Sequence, residues 1–182
     1  TDSPLGIKAK SFVESGNLVP DDLVIDLIRE KLILQKNKGF KGFILDGYPR
    51  TLAQATALDN LLGLLKLRVT KVLNVKAPMD ILIGRLSARR LCSNKSCGAI
   101  YNTITKQPIN EGKCDLCNSA LFQRKDDTEE ACKQRLSEYV SKTAPLEKYY
   151  IDKKLIVDID GTKAADEVFK EILNALEIPS AV

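Results

Sequence analysis

Histidine is absent from these 182 residues. Any acid–base or metal chemistry therefore falls to carboxylates, cysteines, lysines or arginines. Aromatic residues are scarce at 5%, which counts against a nucleic-acid binder with exposed aromatics among its basic residues. There is no run of 18 apolar residues and no signal-like start, so nothing argues for a membrane span or secretion. The expected location is cytoplasmic, with the mitochondrion left open because the chain opens in mid-pattern and a targeting segment could precede it. Nor does one sign of charge dominate. The 28 Lys+Arg against 24 Asp+Glu leave a net +4, which suits an anionic substrate without demanding one. Hydrophobic content of 44% and charged content of 29% describe an ordinary folded protein. The length allows one α/β domain and a small appended module.

The most telling stretch is Phe43-Ile44-Leu45-Asp46-Gly47-Tyr48-Pro49-Arg50-Thr51, followed by Gln54. A short apolar run ends in a carboxylate, a glycine turn, a proline and an arginine, and a polar amide sits at the start of the next helical pattern. That is how a buried parallel strand delivers polar groups to its carboxyl end, where open α/β sheets bind ligands. Around it the pattern alternates. Helices are expected over residues 3–15, 21–35, 52–65, 78–91, 127–142 and 166–176, and strands over 43–45, 71–76 and 155–159. Asp21 and Asp22 would complement the dipole of the second helix, and Asp127-Thr-Glu-Glu130 reads as a capping box. Residues 92–122 break the rhythm with turn formers, cysteines and short β-like runs. The fold class is therefore α/β, a parallel sheet flanked by helices with a small β insertion.

The insertion holds four of the five cysteines. Cys92 and Cys97 form one pair, Cys114 and Cys117 the other, with 16 residues between the pairs. Two such knuckles can set four thiolates tetrahedrally about Zn²⁺, and four thiolates leave no open position, so the metal would be structural. A module this small cannot bury enough apolar surface unaided. The alternative is a set of reduced cysteines without metal. Cys132 reads as a buried small apolar residue.

Arginines are the second constellation. Arg85 and Arg89 would share one helix face, Arg90 adjoins them, Arg124 follows the cysteine module and Arg135 lies one helix on. With Arg50, these are candidates to converge on polyphosphate, since each guanidinium donates paired hydrogen bonds and stays charged. Solvated basic helix faces are the plainer reading of any one of them. Asp126 and Asp127 would either orient these arginines or cap the following helix.

Taken together, these pieces resemble the adenylate kinase family of the long type, whose lid can be held by a four-cysteine zinc site. The matching segments are Gly16-Asn-Leu-Val-Pro-Asp21, Gly42-Phe-Ile-Leu-Asp-Gly-Tyr-Pro-Arg-Thr51 and Gly84-Arg-Leu-Ser-Ala-Arg-Arg90. The cysteine module through Gln123-Arg-Lys-Asp-Asp127 follows, then Lys133-Gln-Arg-Leu136, Thr143-Ala-Pro-Leu146 and Asp160-Gly-Thr-Lys163. The resemblance implies phosphoryl transfer between ATP and AMP to give two ADP, with Mg²⁺ and a structural Zn²⁺, by a monomer whose partners are these small nucleotides and neither nucleic acid nor membrane. Leu18 and Val19 would line the AMP base, Gln54 would read its edge, Arg50 would hold its phosphate, and Gly47 would also lie in the AMP site. Arg85, Arg89, Tyr101 and Lys163 would meet ATP. Arg89, Arg124 and Arg135 would clamp the transferring phosphoryl group, the last two also touching AMP, and Asp46 would act through water on Mg²⁺. Residues 1–36 would form a helical AMP flap, 37–89 and 126–182 the core, and 90–125 the lid, flap and lid closing to exclude water.

The family's other signature, a G-x-x-x-x-G-K-[ST] loop that cradles ATP phosphates, is missing from these residues. Gly42 and Gly47 have the spacing, but Tyr48-Pro49 follows. The central strand leading into that loop is missing with it. Either a larger parent carries that segment upstream, or this is a truncated form whose activity is impaired or lost. Two further alternatives are a GTP-dependent AMP kinase and, more distantly, a zinc-ribbon nucleic-acid-binding module.

Overall fold

The computed structural model describes residues 3–14, 19–40 and 42–178. In chain order its elements are helices α1 (Pro4–Glu14), α2 (Asp21–Asn37) and α3 (Leu52–Leu64), strand β1 (Val72–Lys76) and helix α4 (Met79–Ser87). Strands β2 (Arg89–Cys92), β3 (Ile100–Asn102) and β4 (Leu121–Phe122) follow, then a 3₁₀ turn (Lys125–Asp127), helix α5 (Glu129–Glu138) and a π-helical turn (Tyr139–Thr143). Helix α6 (Pro145–Asp152), strand β5 (Ile156–Asp160) and helix α7 (Ala165–Ala175) complete the described chain. The elements form two compact units, Thr1–Val72 with Lys142–Ile156 and Leu73–Ser141 with Val157–Val182.

The first unit is built around α3. Thr51 caps it by accepting the Gln54 N–H, which satisfies one of the unpaired donors of the first turn. Ala55, Leu58, Leu61 and Leu62 are its buried apolar residues, spaced at helical period so that they share one side. Leu58, Leu61 and Leu62 pack with Leu32 of α2, and Ile28, Leu45, Tyr48 and Leu67 close around them. Ala55 meets Leu146 and Tyr150 of α6 in a second cluster. Each fully buried leucine contributes about 2 kcal/mol of transfer free energy.

The second unit contains all but the first residue of β1 and of β5, together with the cysteine module. The Val72 amide donates to the Leu155 carbonyl and the Gly161 amide to the Lys76 carbonyl, so partner numbers rise together and β1 and β5 run parallel. Gly161 passes close to β1, and a Cβ there would lie 2.9 Å from the Lys76 carbonyl oxygen. The module is a separate antiparallel sheet of order β3-β2-β4, with Arg89 opposite Asn102 and Leu91 opposite both Ile100 and Phe122. The α/β class, with a parallel pair and a small β insertion, is thus as expected.

Three local expectations fail. Residues 43–45 join no ladder among the described residues, and Ile44 is 94% exposed. A strand needs partners for its N–H and C=O groups, and here only Leu45 is held, against the leucine cluster. The helix expected over 78–91 ends at Ser87, so Arg85 and Arg89 share no helix face. Pairing of Arg89–Cys92 with two neighbouring strands overrides the local helical pattern. Finally, α5 is capped by Thr128, whose side chain accepts the Ala131 N–H. Asp127 is no cap because Arg89 occupies its carboxylate. The helical path does reach Thr143, but α5 stops at Glu138 and continues with the wider π winding.

Candidate functional site

The cysteine module is assembled by two tight turns. The Cys97 and Gly98 amides both donate to the Asn94 carbonyl, and the Asn118 amide donates to the Cys114 carbonyl. The residue after the second cysteine of each pair is left-handed, Gly98 at φ 62 and Asn118 at φ 57, the two residue types that tolerate that region best. As a result all four Sγ atoms lie within 4.8 Å of one another. Cys92 Sγ is 3.4 Å from Cys117 Sγ, and Cys97 Sγ is 3.7 Å from Cys114 Sγ. A tetrahedron with 2.3 Å metal–sulfur bonds has edges of about 3.8 Å, so the donor set fits Zn²⁺. Hydrogen bonds from Ser119 pull the Cys117 thiol down to about 6, a thiolate ready to ligate at neutral pH. Burial pushes Cys92 up to about 12, a barrier that a bound cation offsets.

In the same unit three arginines gather on two adjacent carboxylates. Arg89 grips Asp127 with Nε at 2.8 Å and Nη2 at 2.5 Å, and Asp127 has no exposed surface. Arg124 forks onto Asp126, with Nε 2.7 Å from Oδ1 and Nη2 on Oδ2. Arg135 donates to the Asp126 carbonyl at 3.3 Å and stands 3.7 Å from the Asp127 carboxylate. Gln123 ties this turn back by donating to the Ser87 and Asp127 carbonyls. Of the two readings for Asp126 and Asp127, orientation of the arginines is the one realised. Three guanidiniums over two carboxylates leave one positive charge in excess and several unused N–H donors, an arrangement suited to phosphate oxygens.

The first unit carries a different group. At the turn after residues 43–45, Gly47 has φ 68, and a Cβ on it would lie 3.1 Å from Arg50 Nη2. The bare backbone lets Arg50 fold back and donate from Nε to the Gly47 carbonyl at 2.8 Å. The Tyr48–Pro49 peptide is cis. The Arg50 amide donates to Gln54 Oε1 at 2.7 Å, and Gln54 Nε2 donates to Asp21 Oδ1 at 2.6 Å. Thr51 Oγ1 donates to the other Asp21 oxygen at 2.8 Å, and Thr143 Oγ1 donates to the Arg50 carbonyl.

A guanidinium held beside an amide, an arginine–aspartate cluster and a four-thiolate module are thus all present in one chain. Comparison with known proteins is consistent with that combination. The family model described as adenylate kinase matches residues 1–155. The adenylate kinase of Clostridium beijerinckii is 44% identical over 174 residues, covering 96% of this chain and 79% of that protein. The adenylate kinase of Archaeoglobus fulgidus is 46% identical, covering 95% of this chain and 78% of the relative.

The chain belongs to the adenylate kinase family.

It is accordingly a nucleoside-monophosphate kinase, a transferase whose acceptor is a phosphate group. Adenylate kinases use Mg²⁺ with ATP, and the four-cysteine cluster is compatible with the zinc lid of the long type. The remaining expected site residues of this adenylate kinase are distributed as follows. Leu18 lies outside the described residues, whereas Val19 precedes α2 and is half-buried. Asp46 is exposed at the turn. Arg85 reaches the β5–α7 connection, donating to the Gly161 carbonyl at 2.5 Å and to the Thr162 carbonyl at 2.9 Å. Lys163 in that connection is ion-paired with Glu171. Tyr101 is 5% exposed and sits inside the cysteine module, its hydroxyl accepting the Asp115 amide at 2.8 Å and lying 3.6 Å from Cys114 Sγ. Cys132 is fully buried, as expected, and burial raises its thiol pKa.

One residue that sequence reasoning did not assign to the site is Asp21. Its position in the first turn of α2 suggested only a dipole partner, and its contacts with Thr51 and Gln54 span about 30 residues. Nothing in the local pattern signals them.

Proposed function

We propose that this chain carries the acceptor and transfer groups of an enzyme that converts ATP and AMP reversibly to two ADP. The observation that carries this reading is the turn at Gly47. There the Arg50 guanidinium folds onto the Gly47 carbonyl while the Arg50 backbone N–H donates to the side-chain amide of Gln54, an arrangement that suits a ligand with a phosphate at one end and a base at the other. In this reading Gly47 and Arg50 hold the AMP phosphate, Gln54 reads the base, and Leu18 and Val19 line it. Arg89, Arg124 and Arg135 neutralise charge that spreads over the transferring phosphoryl group, the last two also touching AMP. Phosphoryl transfer asks mainly for such positioning and electrostatic stabilisation, which explains how a chain without histidine can perform it.

ATP is met by Arg85 and Arg89 through guanidinium donors and by Lys163 through its carbonyl, while Tyr101 acts from within the module by holding the Asp115 loop. Mg²⁺, when bound, would supply charge neutralisation to the nucleotide phosphates, and Asp46 would act on it through a bound water, of which Mg²⁺ usually keeps several. Zn²⁺ on Cys92, Cys97, Cys114 and Cys117 serves structure only. Residues 1–36 act as the AMP flap, 90–125 as the lid, and 37–89 with 126–182 as the core. The chain works as a monomer on small nucleotides, in a reducing compartment where thiols persist. Among the described residues no helix is long and apolar enough to cross a membrane.

Calorimetric titration of AMP and ATP into Arg50→Ala tests the acceptor assignment. AMP binding should weaken by about 2 kcal/mol, as for a lost charge-assisted hydrogen bond, with ATP binding little changed. Equal losses for both nucleotides would refute it.

A further inference from the structure

Gln54 is 5% exposed, and its side-chain amide is bonded at both ends. Oε1 accepts from the Arg50 amide at 2.7 Å, and Nε2 donates to Asp21 Oδ1 at 2.6 Å. A peptide N–H can only donate and a carboxylate can only accept, so the two partners together permit a single orientation of the amide. The Asp21 carboxylate is itself held, because Thr51 Oγ1 accepts the Gln54 amide N–H at 3.2 Å and directs its proton to Asp21 Oδ2 at 2.8 Å. All four residues belong to the first unit.

A primary amide has two N–H donors and two carbonyl lone pairs. With one of each engaged, Gln54 retains one donor and one acceptor. That pair complements adenine, which presents an amino donor beside a ring-nitrogen acceptor. Guanine presents two adjacent acceptors on the corresponding edge, so the free lone pair of Gln54 would oppose an oxygen.

We propose that Asp21 is a specificity-determining positioning residue, a carboxylate latch that fixes the Gln54 amide in the orientation that accepts adenine and disfavours guanine. The inference rests on the reading of Gln54 as the group facing the acceptor base. Asp21 touches no substrate in this scheme and acts through Gln54 alone.

Asp21→Asn is the informative substitution. Thr51 Oγ1 and Gln54 Nε2 each donate to their own oxygen of Asp21, whereas an asparagine offers the two donors one uncharged oxygen between them. The charge-assisted bond that fixes the Gln54 amide is therefore lost. Titration of AMP and GMP into the unmutated chain and into Asp21→Asn gives the ratio of their dissociation constants in each. The unmutated chain should prefer AMP, and the substitution should reduce that preference roughly tenfold, within the range for one bidentate base contact. A structural role alone would weaken both nucleotides equally, and that result overturns the latch. If the unmutated chain shows no preference for AMP, the reading of Gln54 fails and the latch fails with it. If it prefers AMP and the substitution leaves the preference intact, the latch alone fails.

Should Asp21→Asn not fold, the unmutated chain still decides the matter. Its Gln54 side-chain amide protons should be well separated by NMR, with one strongly deshielded by the carboxylate. A pair resembling the exposed glutamines overturns the proposal.

Discussion

Asp127 has no exposed surface, and both of its oxygens meet the Arg89 guanidinium. A carboxylate taken wholly out of water depends on its partner, and removing one member of a buried pair typically costs about 3–5 kcal/mol. Arg89→Ala should therefore destabilise the second unit by about that amount in urea unfolding, since Arg135 at 3.7 Å is too distant to form the missing bonds. Arg89→Lys should recover only part of the loss, because an ammonium cannot reproduce the two parallel N–H contacts. A cost below about 1 kcal/mol for Arg89→Ala would mean that the pair is no more than a surface contact. The same residue shows what local sequence conceals. Asp127 stands where a helix cap is expected, but the adjacent Thr128 is the cap. Only the 38-residue return of Arg89 in space, which no spacing rule predicts, assigns Asp127 its role.

Among the elements, the β2–β3–β4 module depends most on something other than its own packing. Its core is Cys92, Tyr101 and Cys114, with Cys97, Ala99, Cys117 and Leu121 against them, so most of its interior is thiol. Four thiols that close cannot all ionise without a cation among them, and burial already raises Cys92 to about 12. Treatment with a strong chelator, or Cys114→Ser, should release one zinc per chain and expose the module to proteolysis between about residues 92 and 122. The helical first unit should keep its circular-dichroism signal. Metal analysis finding no zinc in the untreated chain would refute the zinc assignment. The cysteine spacing made this module legible in advance because two knuckles and their turn residues suffice to define it. The end of α4 was not legible, because Arg89–Cys92 read as helix until strand partners at 100–102 and 121–122 were available to pair with them. Residues 43–45 fail for the converse reason. Their composition suits a buried strand, yet no described strand pairs with them, and Ile44 faces solvent.

For the whole molecule, the sequence-based reading of class and family holds because it rests on many separated segments, each with its own turn or cap. The relative strength of its two nucleotide interactions is a separate matter. The groups proposed for AMP, Gly47, Arg50 and Gln54 with Asp21 behind them, are bonded to one another within the first unit, so AMP would meet a pre-ordered set of donors and acceptors. The groups proposed for ATP are of another kind. Arg85 is engaged with backbone carbonyls and Lys163 with Glu171, and none of the 182 residues forms a G-x-x-x-x-G-K-[ST] loop whose amides could cradle the β- and γ-phosphates. A chain of these residues should therefore bind AMP measurably, bind ATP much more weakly, and form ADP slowly in a coupled assay. A longer version that includes a strand and glycine-rich phosphate loop upstream of Thr1 should gain ATP affinity and turnover together, with AMP affinity little altered. Full turnover by the 182-residue chain would show that its arginines alone can hold the donor phosphates, and would remove the loop from the requirements of the reaction.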